Sequence, residues 1–250
     1  MPTTLRDEIL NNFTKFESDW SDELLAAKLG LVPALNKFEQ SYLRISSIQA
    51  WRVSVILGNV CEGAEAFFFE AQNDLLTSHC LARCGSFRQA LKALRSAVEN
   101  IFFSLFYMDH TVELKKWELG RHKLGFTELC SYFESHPANH CYPVAQSCIE
   151  AIKSEYSTLS KAVHGSAKVF RMTQNLTEIR LWGNDLAAVG KWASRERAVI
   201  VNVNILLLHM FSTKLLGTNN RNLRESIGLV VPKAQWAGLK ETIKVTLINE

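Results

Sequence analysis

Apolar residues recur at three- and four-residue steps over long stretches of the chain, which is the spacing of an amphipathic helix. Ser86, after Gly85, stands where a helix N-cap is expected, and Asp109 follows the last apolar residues. The segment Ser86–Asp109 is therefore predicted to be one helix with a single buried face. That face comprises Phe87, Leu91, Leu94, Val98, Ile101 and Leu105.

The positions of the prolines support long helices elsewhere. The chain has 5 prolines, and none lies between Ala34 and His136 or between Val144 and Val231. An interior proline costs a helix about 3 kcal/mol, so these spans suit long helices. Further helices are predicted near Thr4–Ser18, Asp22–Leu29, Leu43–Asn73, Asp74–Arg83, Val112–Leu119, Thr127–Ser135, Val144–Val163, Leu186–Leu216 and Lys233–Leu247.

Together these segments predict an all-α fold, an antiparallel helical bundle. Residues 1–42 are expected to form an N-terminal helical arm, residues 43–216 the bundle, and residues 217–250 a C-terminal extension with a helix packed on it, all within one domain. The segment His136–Pro143 is predicted to be a loop between helices. A short β-hairpin is predicted near 170–182, with strands at Phe170–Thr173 and Glu178–Trp182.

Composition limits the class of protein. Apolar residues make up 47% and charged residues 21% of the 250 residues, which excludes a disordered, fibrous or disulfide-dense chain. The net charge of +3 gives no bulk argument for nucleic-acid binding but leaves a local basic patch open. The 6 cysteines are spread through apolar sequence, which is typical of reduced core thiols. The most apolar stretch, Val199–Phe211, is too short to span a membrane. We therefore expect a cytoplasmic protein.

Sequence motifs for metal and nucleotide sites are absent. The chain has no CxxC pair, HExxH, GxxxxGK[ST], GxGxxG or GxSxG sequence. Zinc needs about four nitrogen or sulfur ligands at characteristic spacing, so the scattered candidates are interpreted as ordinary thiols and histidines rather than a metal site. No cofactor is predicted. The candidates considered are His79, Cys80, Cys84, His136, His140 and Cys141.

One candidate site lies on the predicted helix Ser86–Asp109. Glu99 stands among apolar neighbours, and a buried carboxylate must be paired, hydrogen-bonded or protonated. Arg95 lies four residues earlier on the same helix face and can pair with it. The pair is either a polar spot that orients a binding or catalytic group on a facing helix, or a structural ion pair or solvated edge of the apolar face. The run Arg195-Glu196-Arg197 is interpreted as a solvated helix face.

The most informative stretch ends the predicted helix Val144–Val163, with Gly165 available to stop it. Polar groups recur along one edge of this helix, and the dipole at its C-terminus favours a protonated imidazole at His164. A phosphate-bearing ligand would suit this edge together with Arg171. The alternative is a histidine that caps its own helix and pairs with a neighbouring residue. The edge comprises Ser157, Ser160, Lys161 and His164.

Two short motifs resemble the HEPN superfamily of α-helical bundles. They are the R-x-x-x-E-N run from Arg95 to Asn100 and the helix end Leu159-Ser160-Lys161-Ala162-Val163-His164-Gly165. The resemblance covers roughly residues 80–175, and more narrowly the chain is similar to uncharacterised bacterial proteins that carry an R-x-x-x-E-N helix and an L-S-x-x-V-H-[GA] helix end. It implies a protein of a prophage locus, a toxin–antitoxin pair or an antiphage-defence island, in which many members are metal-independent ribonucleases that work as homodimers.

The catalytic pattern of that superfamily implies a histidine base for the ribose 2′-OH and an arginine, on the same helix, that stabilises the phosphate. His164 matches the histidine, but Ser157, Thr158 and Leu159 occupy the positions where the arginine should lie. The first hypothesis is therefore a non-catalytic subunit that binds a neighbouring gene's protein, a second copy or RNA. The second is an atypical ribonuclease that uses His164 as base, with Arg95 or Arg171 supplying the positive charge.

A third hypothesis is a purely structural bundle whose function lies in a surface not marked by any motif. Its aromatic anchors would be Trp182, Trp192 and Trp236.

Overall fold

The computed structural model describes residues 4–164, 172, 181–216 and 220–248, and these residues contain helices and no strand. The all-α prediction is therefore confirmed for this part of the chain. A 3-10 turn, Val32–Ala34, joins the first two helices, and a π-helical turn, Arg52–Ile56, extends the second. The helices of the described residues are α1 (Leu5–Gly30), α2 (Leu35–Trp51), α3 (Glu62–Arg83), α4 (Phe87–Asp109), α5 (Thr111–Glu118), α6 (Phe126–Ser135), α7 (Pro137–His140), α8 (Pro143–His164), α9 (Leu186–Met210), α10 (Ser212–Leu215), α11 (Arg221–Gly228) and α12 (Lys233–Ile243).

Helix α4 lies in the core, between α3, α8, α9 and the shorter α6. All six apolar residues of its predicted stripe are buried, as expected from their spacing. Helix α9 is apolar around most of its circumference from Val199 to Leu208, and it packs against α2, α4 and α8. A helix that is apolar on all sides belongs inside a protein, and α9 is accordingly buried along this length.

Several predicted helix boundaries are wrong. The boundary between Asn73 and Asp74 lies inside α3, and the predicted helix Leu186–Leu216 is divided at Phe211 between α9 and α10. The segments predicted as Thr4–Ser18 and Asp22–Leu29 form one continuous helix, α1, with a capping box at Thr4 and Asp7. The segment predicted as Leu43–Asn73 is divided between α2, which already begins at Leu35, and α3, which continues to Arg83. Gly58, with φ of 77°, lies in the turn that separates them, in a conformation that favours glycine.

The turn between α3 and α4 requires a glycine. Gly85 has φ of 79°, and a β-carbon there would lie 1.9 Å from the carbonyl oxygen of Gly183. Gly85 thus lets the turn before α4 lie against the segment that precedes α9. Because three residues join two long packed helices, α3 and α4 run antiparallel.

Three further expectations have mixed outcomes. Of the predicted hairpin near 170–182, only Met172, Leu181 and Trp182 are described, and none is in a strand; its other residues lie outside the described ones. The predicted loop His136–Pro143 contains the one-turn helix α7. All six cysteines are free thiols, but only Cys130 and Cys148 are buried, so the prediction of core thiols is wrong for the others.

Within the described ranges, no helix combines the length and the apolar character that a membrane span requires.

Candidate functional site

The two motif segments lie on the packed helices α4 and α8, at different levels along them. Arg95 and Glu99 of α4 form the expected ion pair, with 2.9 Å between the arginine Nη2 and the glutamate Oε1. Both side chains are partly exposed, at 24% and 29% of their area. An ion pair this accessible to solvent contributes little stability by itself. Its importance lies in the third residue that it contacts.

Tyr156 of α8 completes this arrangement, called here the Arg95 cluster (Arg95, Glu99 and Tyr156). Arg95 donates a hydrogen bond to the tyrosine hydroxyl, which in turn donates to the Oε1 atom of Glu99. The guanidinium carbon lies 4.8 Å from the centre of the tyrosine ring, and Phe126 stacks on that ring at 3.8 Å. Burial and the bond to Glu99 raise the pKa of Tyr156, so its hydroxyl stays protonated and keeps donating. Arg95 thus forms an ion pair with Glu99 and a cation–π contact with the ring of Tyr156.

The end of α8 is held by a different arginine. Arg88, two turns before Arg95 on α4, donates to the backbone carbonyls of Ala162 and Val163, each at 3.1 Å. These contacts, with the one between Arg95 and Tyr156, show that α4 and α8 run antiparallel. They also place a positive charge on the carbonyls that carry the negative end of the α8 dipole.

His164 is the last described residue of α8, and its side chain is exposed; the predicted helix stop at Gly165 lies outside the described residues. It lies eight residues beyond Tyr156, which is about 12 Å along the helix axis. The structure therefore brings His164 close to Arg88 rather than to the Arg95–Glu99 pair. Lys161 is also exposed, while Ser160 is partly buried and its hydroxyl donates to the carbonyl of Tyr156 at 2.9 Å. Arg171 lies outside the described residues.

A second polar cluster was not anticipated from the sequence. Glu196 of α9 has only 1% of its side chain exposed, so the prediction of a solvated face at this position is wrong. Arg44 of α2 contacts its Oε2 atom at 2.6 Å, and the hydroxyl of Ser41 donates to its Oε1 atom at 3.1 Å. Burial raises the pKa of Glu196 to about 7, although Arg44 and Ser41 act in the opposite direction.

Ser41 also links this carboxylate to a histidine. Its hydroxyl oxygen lies 3.0 Å from Nδ1 of His79, on α3. Since Ser41 donates its only proton to Glu196, it accepts from His79, which assigns the imidazole proton to Nδ1. Burial and the nearby charge of Arg83 lower the pKa of His79, so the ring is neutral near pH 7. His79 lines a shallow apolar groove of about 470 Å³, together with Phe38.

The order of the residues along this series of hydrogen bonds, Glu196–Ser41–His79, argues against nucleophilic catalysis. In a serine–histidine–acid triad the histidine lies between the serine and the acid, so that it can remove the serine proton. Here the serine lies between His79 and Glu196, and Ser41 is fully buried. Its proton points toward the carboxylate, and its oxygen has no access to a substrate. We interpret Glu196, Arg44, Ser41 and His79 as an internal network that holds α2, α3 and α9 together.

A third polar group joins the end of α4 to α6 and α7. Asp109 accepts a hydrogen bond from the Tyr132 hydroxyl at 2.7 Å and lies 3.3 Å from Nε2 of His136. Nδ1 of His136 accepts the backbone N–H of Ala138, so the imidazole proton lies on Nε2 and faces Asp109. His136 therefore caps α7 and pairs with α4. Among the described residues, no three His, Cys, Asp or Glu side chains gather as a metal site would require.

Sequence reasoning missed Tyr156 as a site residue, although a signal was present. Tyr156 precedes Ser160 by one turn and follows the buried Ile152 by four residues, so it lies at the edge of the α8 face that packs on α4. A tyrosine at such an edge buries its ring and keeps its hydroxyl available for a polar partner.

Comparison with known proteins identifies no family, since no family model, curated protein or solved structure matches this chain.

Proposed function

We propose that this protein is a non-catalytic, HEPN-like helical subunit of a bacterial antiphage-defence or toxin–antitoxin system, and that it binds a partner protein and a phosphate-bearing ligand. The observation that carries the proposal is that Arg95 already contacts Glu99 and Tyr156. A catalytic arginine must present its charge to the phosphate as negative charge develops there. In this protein Glu99 already neutralises that charge, and Tyr156 covers the guanidinium.

The position of His164 supports the same conclusion. A histidine base and its arginine must reach one scissile phosphate, so their functional groups have to lie within a few ångströms of each other. About 12 Å of helix separates His164 from the level of Tyr156, where Arg95 is bound. His164 can contribute to binding without this partner.

Binding of a phosphate-bearing ligand is proposed for the exposed end of α8. A helix C-terminus ordinarily repels anions because its last carbonyls point outward. Here the guanidinium of Arg88 occupies two of those carbonyls, which offsets the repulsion. Lys161 and His164 are exposed on the same final turn and can donate to phosphate oxygens.

Fluorescence anisotropy with a labelled single-stranded RNA tests this binding. We expect His164→Ala and Lys161→Ala each to weaken RNA binding by about 5-fold at moderate salt. Lys153→Ala is the matched control, since Lys153 is an exposed lysine of α8 that pairs with Glu134 at 3.4 Å. It should bind as the unaltered protein does. Absence of binding by the unaltered protein, or equal losses in all three variants, would contradict the assignment.

The second candidate is the atypical ribonuclease that uses His164 as general base. It is favoured by one observation, the position of Arg88, whose Nη2 atom lies 3.1 Å from the carbonyl of the residue before His164. Arg88 could supply the positive charge that Arg95 cannot. This candidate predicts RNA shortened to products, an outcome that the binding proposal excludes.

The partner protein can be tested separately. A non-catalytic subunit should leave growth unchanged when it is expressed alone, and it should co-purify with the product of a neighbouring gene. Growth arrest that His164→Ala abolishes would instead indicate the ribonuclease.

A further inference from the structure

Helix α1 carries an apolar face that its own chain leaves exposed. Every residue from Thr4 to Asp19 is exposed, so the first four turns project from the body of the protein. The exposed fraction is 72% for Leu5, 58% for Ile9 and Phe13, and 51% for Phe16. Isolated helices of about this length are marginal in water, and apolar residues on one face call for a packing partner.

These residues belong to one continuous stripe along α1. At 100° per residue, all members of the stripe fall within an arc of about 100°. The stripe passes from exposed residues, through the half-buried Trp20 and Leu24, to the buried Ala27, where α1 meets the body. Within the part of the chain that the structure describes, only the last turns of the stripe are covered. The stripe comprises Leu5, Ile9, Phe13, Phe16, Trp20, Leu24 and Ala27.

The stripe is symmetric about the midpoint between Thr14 and Lys15. Leu5 and Leu24 are equally far from that point, as are Ile9 and Trp20, and as are Phe13 and Phe16. An antiparallel copy of the same helix would therefore place an apolar residue at the level of each apolar residue of the first. Such self-complementarity is what a two-fold interface between identical chains requires.

Charge favours the antiparallel over the parallel arrangement. The second half of α1 is acidic, and two parallel copies would bring these acidic halves side by side. Antiparallel copies place each acidic half against the other copy's first half, in which Arg6 offsets one of the two acidic residues Asp7 and Glu8, so the repulsion is smaller than between two acidic halves. The helix dipoles also oppose each other favourably in this arrangement. The acidic residues are Glu17, Asp19, Asp22 and Glu23.

We propose that α1 is a dimerisation arm, and that two copies of this protein associate through antiparallel pairing of their α1 helices. The contact runs about 28 Å, from Leu5 to Leu24 of each copy. Phe13 of one copy packs against Phe16 of the other at the centre, and Ile9 packs against Trp20 on either side. This inference goes beyond the proposed function and does not depend on what the end of α8 binds.

Light scattering coupled to size-exclusion chromatography tests the pairing on the full chain. The unaltered protein should have the mass of two 28.3-kDa chains at micromolar concentration. Phe13→Glu places a charge at the centre of the interface and should weaken dimerisation by about 30-fold or more. Leu25→Glu is the matched control, because Leu25 is 56% exposed but lies outside the stripe, and it should remain dimeric.

The antiparallel register has its own test in a pair of complementary variants. Ile9→Glu and Trp20→Lys should each be monomeric alone, and their mixture should form a heterodimer because the glutamate and the lysine then lie at one level. Parallel helices would keep these residues about 16 Å apart and give no such recovery. Circular dichroism of each variant confirms that the body remains folded.

The proposal is overturned by an unaltered protein that is monomeric up to its solubility limit. It is equally overturned if Phe13→Glu dimerises as Leu25→Glu does, or if the mixture of Ile9→Glu and Trp20→Lys stays monomeric. RNA binding by Phe13→Glu is measured in parallel, so that a failure of the dimer proposal can be distinguished from a failure of the proposed ligand site on α8.

Discussion

Replacing Glu196 with glutamine should change how the stability of this protein depends on pH. The carboxylate is 1% exposed and is held by Arg44 and Ser41. Glutamine has nearly the same shape and still accepts the serine hydrogen bond, but it cannot ionise. The substitution therefore isolates the free energy of ionisation of this one buried group.

The expected magnitude follows from the pKa. Burial raises the pKa of Glu196 from 4.5 to about 7 in the folded protein, so the folded state binds this proton more tightly than the unfolded state does. The stabilisation is full below about pH 4.5 and is lost as the pH rises through about 7. Each pH unit between these values corresponds to about 1.4 kcal/mol, which gives a total of about 3 kcal/mol.

Urea unfolding at pH 5 and pH 8 measures the effect. Relative to Glu196→Gln, the unaltered protein should lose about 2 to 3 kcal/mol of unfolding free energy between these two pH values. His79, whose lowered pKa gives an opposite dependence, is present in both proteins and cancels in the difference. Glu150→Gln, which alters an exposed carboxylate of α8, controls for the loss of one negative charge. A difference that does not vary with pH would refute the reasoning.

Two further substitutions test how the body is held together. Asn204→Ala removes the acceptor of the Trp51 indole N–H, which is 2.9 Å from the asparagine oxygen, and should lower the unfolding free energy in urea by about 2 to 4 kcal/mol; a loss below the error of the measurement would show that water replaces this bond. Gly85→Ala should destabilise by at least about 2 kcal/mol, because of its positive φ and its contact with Gly183. Gly238→Ala in α12, where a β-carbon meets nothing within 4 Å, should be neutral or slightly stabilising, and equal effects at the two glycines would contradict the proposed cause.

The fold class could be predicted from the sequence because helical periodicity is a local property. The stripe of α4 is buried at every expected position, and α8 covers the whole of the predicted helix Val144–Val163. Helix boundaries were harder to predict where no proline or clear cap marks them. Gly58 was the signal that the predicted helix Leu43–Asn73 is interrupted by a turn. A single glycine inside an apolar pattern, however, does not distinguish a turn from a glycine that a continuous helix tolerates.

The polar clusters could not be predicted because they depend on residues distant in sequence. Glu196 lies between two arginines in the chain and reads as a surface position. Its burial follows from Ser41 and Arg44, more than 150 residues away, which meet it only because α2 packs on α9. Tyr156 likewise meets Glu99 across 57 residues. Charge and spacing along one helix cannot show which side chain the neighbouring helix supplies.

The most direct test of the proposed function is the fate of RNA incubated with the purified full-length protein. A labelled single-stranded RNA is analysed on a denaturing gel after incubation with the unaltered protein and with His164→Ala. Because Arg95 is bound to Glu99 and Tyr156, and His164 lies two turns away, we predict intact RNA in both samples. RNA that is cleaved by the unaltered protein and remains intact with His164→Ala would contradict the account.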